Sequence, residues 1–294
     1  MPMIQHRPKV SIGLPVYNGE QFLAEALSSL LAQTFTDFEL IVSDNASDDR
    51  TEAICREYAD TDCRIRYYRH DQNRGAAWNF NYVFGLATGE YFKWAAHDDI
   101  CSSNFLERCV QVLNNDSSVV LCHSQTIFTK ANGKKWWKGE SVPNLDSWKP
   151  HERYEAVLSD FWCLAVFGLM RTEVLKKTSL IAPYYGSDRL LLTQLSLMGR
   201  FHEIPEPLFF RRCHSAQSSR LSAPERARWI DPRNAQKPKF MRYRGSLGYF
   251  QAIFKAPLSW QERVSCLNVL ARYLLHSGTW QKFFIKIKPH EVSS

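Results

Sequence analysis

The first 125 residues alternate short runs of β-forming residues with segments whose apolar residues recur at helical spacing. Residues 10–16 and 38–43 are β-like runs, and residues 20–33 between them place most of their apolar side chains on one face of a helix. Strands that alternate with helices form a mostly parallel sheet with helices on its faces. The chain is therefore predicted to have an α/β fold.

The alternation continues along the chain. Strands are predicted at residues 64–69, 90–96, 119–128 and 208–212, and helices at residues 79–86, 103–113, 154–159 and 188–198. Residues 130–150 break the pattern, because Trp136, Trp137 and Trp148 occur there among lysines with no clear period. We expect this segment to form a loop over the active face.

A chain of 294 residues is long for one domain and short for two. Residues 1–125 and 126–220 are interpreted as two halves of one core, followed by a basic, mainly helical extension over residues 221–294. Residues 1–120 carry a net charge of −7, whereas residues 121–294 carry +14. The acidic first part argues against a nucleic-acid-binding protein and suits a divalent cation.

The extension contains 13 Lys and Arg against 4 Asp and Glu, and residues 280–288 combine basic with aromatic side chains. Such a surface is either simply solvated or docks on anionic lipid. The longest apolar stretch, residues 161–170, is shorter than the roughly 20 residues that cross a bilayer. Residues 1–8 lack the apolar core of a signal peptide, so we expect a cytoplasmic protein.

The eight cysteines are scattered, with no C-x-x-C pair. Closely spaced ligands are typical of structural zinc, and disulfide frameworks are typical of much smaller secreted chains. Reduced thiols are therefore expected.

Polar clusters follow three of the predicted strands. They are residues 17–20, the pair Asp44 and Asn45, and the pair Asp98 and Asp99. In an open α/β sheet, ligands bind at the carboxyl ends of the strands. Each cluster alone is also explained by turn chemistry, since Asn, Asp and Gly favour turns. Three clusters at equivalent strand ends favour a binding site.

Four segments in order carry a family resemblance: Pro15-Val-Tyr-Asn-Gly-Glu20, Val42-Ser-Asp-Asn-Ala-Ser-Asp48, Asn73-Arg-Gly75 and His97-Asp-Asp99. Together they resemble the nucleotide-sugar-binding half of a family-2 glycosyltransferase with the GT-A fold. The resemblance covers roughly residues 9–215. It implies that residues 1–125 bind the nucleotide sugar and that residues 126–220 bind the acceptor.

The resemblance also implies an activity. Such enzymes transfer a sugar, with inversion, from a nucleoside diphosphate sugar to a hydroxyl of a saccharide or lipid-linked acceptor, and usually need Mn²⁺ or Mg²⁺. Cell-surface polysaccharide synthesis, with peripheral contact to an anionic membrane at the inner face, would be the setting.

The resemblance assigns roles to residues of the first half. Asp99 would be the direct metal ligand, whereas Ala96 stands where the commonest form of the motif has its leading carboxylate. The base would be bordered by Pro15, Tyr17 and Glu20, and its imide N–H would donate to Asp44, which shares a cluster with Asn45. Arg74 would lie near the base or the phosphate, and Asp98 would bind sugar or ribose hydroxyls.

Two later segments would complete the site. In Tyr184-Tyr-Gly-Ser-Asp188, the family brings its catalytic base to the start of a helix, so Asp188 would take the acceptor proton. Asp188 could instead only cap that helix. After the strand at 208–212, Arg211 or Arg212 would clamp phosphate and His214 would bind metal or phosphate, although a lone histidine is more often structural.

Other interpretations remain open. Trp136, Trp137 and Trp148 could stack on acceptor sugars, whereas Trp162 and Phe167 are expected in the core. A nucleotidyltransferase would usually have a Gly-rich phosphate loop, and the sequence has no G-x-G-x-x-G or Walker-type stretch. A non-catalytic nucleotide-sugar-binding module is supported by the missing carboxylate at Ala96.

Overall fold

The structure is a computed structural model that describes residues 7–160, 162–233 and 241–276. The described residues form one nine-stranded sheet flanked by helices. The strands are β1 Val10–Val16, β2 Phe38–Asp44, β3 Ile65–Arg69, β4 Tyr91–Trp94, β5 Ile100–Cys101, β6 Val119–Lys130, β7 Lys135–Lys138, β8 Leu169–Arg171 and β9 Arg200–Cys213. The helices are α1 Leu23–Leu31, α2 Thr51–Thr61, α3 Ala76–Gly85, α4 Phe105–Asn115, α5 Pro150–Ser159, α6 Thr172–Leu175, α7 Ser187–Met198, α8 Ala223–Ile230, α9 Met241–Lys255 and α10 Trp260–His276.

The strand order is β3-β2-β1-β4-β8-β6-β9-β5, with β7 paired to β6. The first four strands in this order are parallel, and β8 reverses direction between β4 and β6. β6 and β9 are again parallel, whereas β5 and β7 are antiparallel to their neighbours. As a result, the carboxyl ends of β1, β2, β4, β6 and β9 lie at one edge of the sheet, as the alternating pattern predicts.

Helices cover both faces of the sheet, so β1 and β2 are buried along their whole length. Within β2, Leu40 and Val42 belong to one apolar cluster and Ile41 belongs to another, because successive side chains point to opposite faces. The sheet therefore separates two cores and is held rigidly below its carboxyl edge.

Two predictions about the second half were incomplete. Residues 130–150 are not only a loop: Lys135–Lys138 pairs with β6 as an antiparallel strand, and α5 begins at Pro150. The strand predicted at 208–212 begins at Arg200. Pro205 and Pro207 interrupt the strand pattern in the sequence, so the full length of the strand is not predicted. The pairing with β6 shifts register beside these prolines.

The carboxyl-terminal helices pack on the second half of the core. α9 and α10 share an apolar cluster with α5 and α7 that includes Tyr154, Leu190, Ile253 and Cys266. Within the described part of the predicted extension, the helices are α8, α9 and α10, whereas the basic run 280–288 lies outside the described residues. Among the helices that the structure describes, none has the length and apolarity that a membrane span requires.

β6 runs through residue 125, so the two expected halves share one sheet. The eight cysteines all lie in the described part of the chain and are free thiols, as expected.

Candidate functional site

A cavity of about 410 Å³ opens at the carboxyl edge of the sheet. It is bordered by the segments that follow β1, β4 and β9 and by the start of α3. Seven of the residues that the sequence singles out line it: Pro15, Tyr17, Asn45, Asp98, Asp99, Arg211 and His214. The cavity therefore brings together the carboxyl ends of β1, β2 and β4 and His214, which is distant from them in the sequence.

Asp98 and His214 form a close pair within the cavity. Nε2 of His214 lies 2.8 Å from Oδ2 of Asp98, and its ring centroid is 4.8 Å from that of Phe22. Burial alone would raise the pKa of Asp98, but the hydrogen bond from His214 and the charges of His97 and His214 lower it below its ordinary value. The buried Nδ1 of His214 has no hydrogen-bond partner among the residues that the structure describes. A buried imidazole nitrogen without a partner marks a position for a ligand atom.

Asp99 is 8% exposed and accepts a hydrogen bond from the backbone N–H of Arg212 at 2.9 Å. Burial and the negative charge of Asp98 raise the pKa of Asp99 to about 8. A cation beside these two carboxylates would favour their ionised forms and so oppose that shift. Carboxylate oxygens suit Mg²⁺ and Mn²⁺, so the donor set fits such an ion.

The protein side chains do not form a complete cage. Within the described ranges, no group of three or more His, Cys, Asp and Glu side chains is arranged to hold a metal ion. Ala96 lines the cavity at the position of the missing carboxylate. An ion bound here would need further ligands from a bound diphosphate or from water.

Arg211 and Arg212 are adjacent in sequence and differ in role. Arg211 lines the cavity, whereas Arg212 is 2% exposed. The Arg212 guanidinium donates to Glu25 at 2.5 Å and to the backbone oxygens of Asp98 and Ala131 at 3.0 and 2.8 Å. Its donors are engaged within the protein, so the prediction of a phosphate clamp at Arg212 is not supported.

The Asp44 carboxylate is turned into the protein. Asp44 is fully buried and does not line the cavity, since Oδ1 accepts the N–H of Ser47 at 2.8 Å and Oδ2 accepts the hydroxyl of Tyr67 at 3.0 Å. In this structure the Asp44 carboxylate is therefore not positioned to accept the predicted hydrogen bond from a base imide. The neighbouring Asn45 lines the cavity, and its Oδ1 accepts the N–H of Arg74 at 3.0 Å.

Glu20 and Arg74 also lie outside the cavity lining. Glu20 is exposed, and its Oε2 accepts the backbone N–H of Arg50 at 3.0 Å, which joins the loops after β1 and β2. Arg74 is exposed, and its guanidinium stacks 4.7 Å from the ring of Trp78. Both side chains take part in loop structure here, and their contacts with a nucleotide stay predictions.

Asp188 lies in the first turn of α7 and is not among the residues that line the cavity. Its Oδ1 accepts the N–H of Arg189 at 2.8 Å, as a helix-start carboxylate does. Burial raises its pKa above the ordinary value of 3.8. Its charge acts on the Cys163 thiol, next to Trp162, and the Arg211 guanidinium lies 5.5 Å from the Trp162 ring. Asp188 and the cavity residue Arg211 therefore both lie near the segment at residues 162–163.

Several cavity residues escaped the sequence analysis. Two of them are Leu221, which precedes α8, and Trp229, which lies within α8; both line the cavity. Ser222 and Glu225 form a capping box at the start of this helix, and this pattern could have located the helix in the sequence. No sequence pattern indicates that the helix folds back over the cavity.

Trp162 was expected in the core but is 43% exposed, and Phe167 lines the cavity while packing on Phe209. Trp136, Trp137 and Trp148 are all exposed. The guanidinium of Arg200 also lies 4.3 Å from the centre of the Trp148 ring.

Comparisons with known proteins agree with this geometry. The model of the family described as Glycosyl transferase family 2 matches residues 11–178. An uncharacterized glycosyltransferase of Rickettsia typhi is 34% identical over 179 residues, which are 60% of this chain and 51% of that protein. One from Haemophilus influenzae is 27% identical over 74% of this chain and 69% of its own. The chain spans about half the length of the Rickettsia typhi relative, and less of some others.

Solved structures share the fold at low identity. TarS of S. aureus in complex with UDP-GlcNAc superimposes with a TM-score of 0.66 at 21% identity, over 96% of this chain and 77% of that chain. The mannosyltransferase PcManGT from Pyrobaculum calidifontis, in complex with GDP-Man and Mn²⁺, gives 0.55 at 18% identity, over 95% of this chain and 84% of its own. The family model, which covers more than half of the sequence, and the shared architecture lead to one conclusion: the chain belongs to glycosyl transferase family 2 and has the GT-A fold.

Proposed function

We propose that this protein is an inverting glycosyltransferase that moves a sugar from a nucleoside diphosphate sugar to a hydroxyl of a saccharide or lipid-linked acceptor. The observation that carries the proposal is the shared cavity, where Tyr17, Asp98, Asp99, Arg211 and His214 converge from separate strand ends. UDP-GlcNAc and GDP-Man in the complexes of similarly folded proteins support a ligand of this class.

The donor would be oriented by groups of different chemistry. Pro15 and Tyr17 would form the wall for the base, with Asn45 beside them. The Arg211 guanidinium would hold phosphate oxygens, because its planar donors match them. Asp98 would accept hydrogen bonds from ribose or sugar hydroxyls, while its pairing with His214 keeps it ionised.

Asp99 would hold a Mn²⁺ or Mg²⁺ ion, with the free Nδ1 of His214 as a second ligand. Such an ion would stabilise the negative charge that builds on a departing diphosphate.

Asp188 would act as the general base. Its carboxylate would accept the proton of the acceptor hydroxyl while that oxygen attacks the anomeric carbon from the side opposite the diphosphate. The bond from this carbon to the diphosphate oxygen breaks in the same displacement, so the configuration inverts. The buried environment that raises the pKa of Asp188 makes it a stronger base than an exposed aspartate.

A thermal-shift panel tests donor binding first. UDP, dTDP and GDP are each added with and without Mn²⁺, and one of them at about 100 times its dissociation constant should stabilise the fold by about 2.7 kcal/mol. No stabilisation by any of the three would overturn the proposal. Activity then separates the alternatives. Slow metal-dependent hydrolysis of the matching sugar nucleotide to nucleoside diphosphate and free sugar supports a transferase, and binding without turnover supports a non-catalytic module. Release of pyrophosphate from the matching nucleoside triphosphate and a sugar 1-phosphate supports a nucleotidyltransferase.

We also propose that the carboxyl-terminal helices contact an anionic membrane at its cytoplasmic face, where surface polysaccharides would be assembled. Leu247, Phe250 and Phe254 form an exposed apolar stripe on α9, and Trp260 is 68% exposed on α10. The basic excess of residues 221–294 complements anionic headgroups. Sedimentation with vesicles of phosphatidylglycerol and phosphatidylcholine, but not phosphatidylcholine alone, is expected, and Phe250→Ser with Phe254→Ser should reduce it. Equal sedimentation of the variant would contradict this contact.

A further inference from the structure

A second groove, of about 430 Å³, lies between β7 and α5. Trp137, Glu140, Asp160 and Trp162 are among its lining residues. A smaller cavity of about 40 Å³ shares Glu140, Asp160 and Trp162 with this groove and is also lined by His123. We call the two together the aromatic–acidic groove.

The indole rings of this groove are exposed and yet held in place. Trp137 stacks on Phe128 with ring centroids 4.7 Å apart, and Trp162 packs 5.0 Å from the same ring. Trp137 and Trp162 nevertheless remain 42% and 43% exposed. Rigid aromatic faces offer contact area at little entropic cost, and the C–H face of a pyranose ring fits such a surface.

His123 is an independent sign of a polar ligand. It is 8% exposed, and its Nε2 has no hydrogen-bond partner in the structure. Burial lowers its pKa below the ordinary 6.5, against the opposing charge of Glu203, so the imidazole is uncharged at neutral pH. Buried polar atoms are nearly always bonded, and a hydroxyl group or a water would satisfy this nitrogen.

The charge of the groove restricts the ligand. Glu140, Glu152, Glu155 and Asp160 line its larger part, and no Lys or Arg is among the described residues of that lining. Glu152 and Glu155 pair with lysine and arginine at the rim, at 2.8 and 3.2 Å. Carboxylates accept hydrogen bonds from hydroxyls but repel phosphate and carboxylate groups.

The groove is next to the proposed base. The backbone oxygen of Asp160 accepts a hydrogen bond at 2.7 Å from Arg189, the neighbour of Asp188. On the other side, Trp162 lies 5.5 Å from the guanidinium of Arg211, which lines the nucleotide cavity. A ligand in the groove would therefore lie near the neighbour of the proposed base and near the arginine proposed to hold the donor phosphate.

We infer that the aromatic–acidic groove is the acceptor site and that its ligand is a neutral saccharide, stacked on Trp137 and Trp162, rather than a phosphate-bearing polymer. The inference rests on the proposed function and adds the chemical class of the acceptor. Trp137 and Trp162 are then specificity-determining residues, and His123 binds one hydroxyl.

Saturation-transfer NMR with the full chain tests the inference. The probes are maltotetraose, cellotetraose and chitotetraose, together with maltotetraose 1-phosphate as the charged match. At least one neutral tetrasaccharide should bind, and Trp162→Ala and Trp137→Ala should each weaken it at least about tenfold. Trp148→Ala is the matched control, because Trp148 is exposed but does not line the groove, and should change binding less than about twofold.

The charge of the groove is tested separately. Glu140→Lys should lower the preference for maltotetraose over maltotetraose 1-phosphate by about fivefold or more, since a repulsive charge becomes attractive. Binding of none of the neutral probes, equal effects of Trp148→Ala and Trp162→Ala, or tighter binding of the phosphorylated probe by the unmodified chain would overturn the inference. Stabilisation of the tryptophan variants by nucleoside diphosphate, measured in parallel, shows whether the proposed function fails as well.

Discussion

The two sides of the nucleotide cavity are built in different ways. On the side of residues 15–75, loop side chains bond to neighbouring loops: Glu20 to the loop after β2, Asp44 to Ser47, and Asn45 to the start of α3. On the other side, Arg211 and His214 reach Asp98 and Asp99 only because β9 pairs with β5 and β6. The first side is held by hydrogen bonds of loop side chains, whereas the second depends on pairing between strands that are far apart in the sequence.

This difference in construction explains why polar residues of one sequence motif, such as Asp44 and Asn45, have different roles. A local loop network needs polar side chains for its own hydrogen bonds, since buried polar groups must be satisfied. Asp44 and Glu20 therefore order the loops, and Tyr17 and Asn45 are left to face the cavity. Where sheet pairing holds the backbone, a side chain such as that of Arg211 is not needed for loop hydrogen bonds and can face the cavity.

Replacement of Asp188 should have the largest effect. Asp188→Asn keeps the size of the side chain and removes its basicity, so transfer should fall by about 10²–10⁴-fold. Binding of nucleoside diphosphate should remain within about twofold, because Asp188 does not line the cavity. Initial rates and thermal shifts are measured side by side, with Glu173→Gln as the control carboxylate on an exposed helix start. Wild-type turnover in Asp188→Asn would remove the base assignment.

The adjacent arginines give the next largest effect. Arg212→Ala removes the buried guanidinium that donates to the partly buried backbone oxygens of Asp98 and Ala131, so the free energy of unfolding should fall by about 1–3 kcal/mol. Arg211→Ala should cost less than about 1 kcal/mol, since the contacts of the Arg211 guanidinium with Phe128 and Trp162 are ring contacts at 5.9 and 5.5 Å. Urea unfolding of both variants measures this.

Ligand binding should show the opposite order. Arg211→Ala should weaken nucleoside diphosphate binding at least about tenfold, because a charge-assisted phosphate contact is lost. If Arg212→Ala were stable and Arg211→Ala bound normally, the division between structural and ligand-facing arginines would be wrong.

Asp99→Asn tests the metal side of the cavity. The variant should lose the increase in nucleotide affinity that Mn²⁺ gives, by at least about tenfold. Without metal, its nucleotide affinity should stay within about twofold of that of the unmodified chain, because the raised pKa of about 8 keeps Asp99 mostly protonated at neutral pH. Isothermal titrations with and without Mn²⁺ measure both. An unchanged Mn²⁺ effect would move the ion away from Asp99.

The pH dependence of transfer should follow the proposed base. Burial raises the pKa of Asp188, so the carboxylate takes up a proton at a higher pH than an exposed aspartate. Activity requires the ionised form and should therefore fall as pH decreases through this raised pKa, by about tenfold per pH unit below it. The profile of kcat/KM measures the midpoint. A midpoint at or below 3.8, with the fold intact, would contradict the buried base.

The sequence predicted the fold and the strand ends well, because the alternation of apolar runs with helical periods is a local signal. It also identified Asp98, Asp99 and His214, which the sheet brings into one cavity. It did not separate Arg211 from Arg212, since the side-chain direction of β9 depends on its register with β6 beyond two prolines. Trp229 was missed because its position follows from the tertiary packing of α8 against α3, near Gly75.

The smallest effect is expected at Glu20, the loop residue that resembles a nucleotide contact. Glu20→Gln retains an oxygen that can accept the N–H of Arg50, and the side chain is exposed, so the free energy of unfolding should change by less than about 0.5 kcal/mol. Nucleotide affinity should stay within about twofold, because Glu20 does not line the cavity. Tyr17→Ala is the matched variant on the same loop and should weaken nucleotide binding, since Tyr17 does line the cavity. A tenfold loss of affinity in Glu20→Gln would mean that this loop rearranges when the nucleotide binds, and the local network would then belong to the free protein alone.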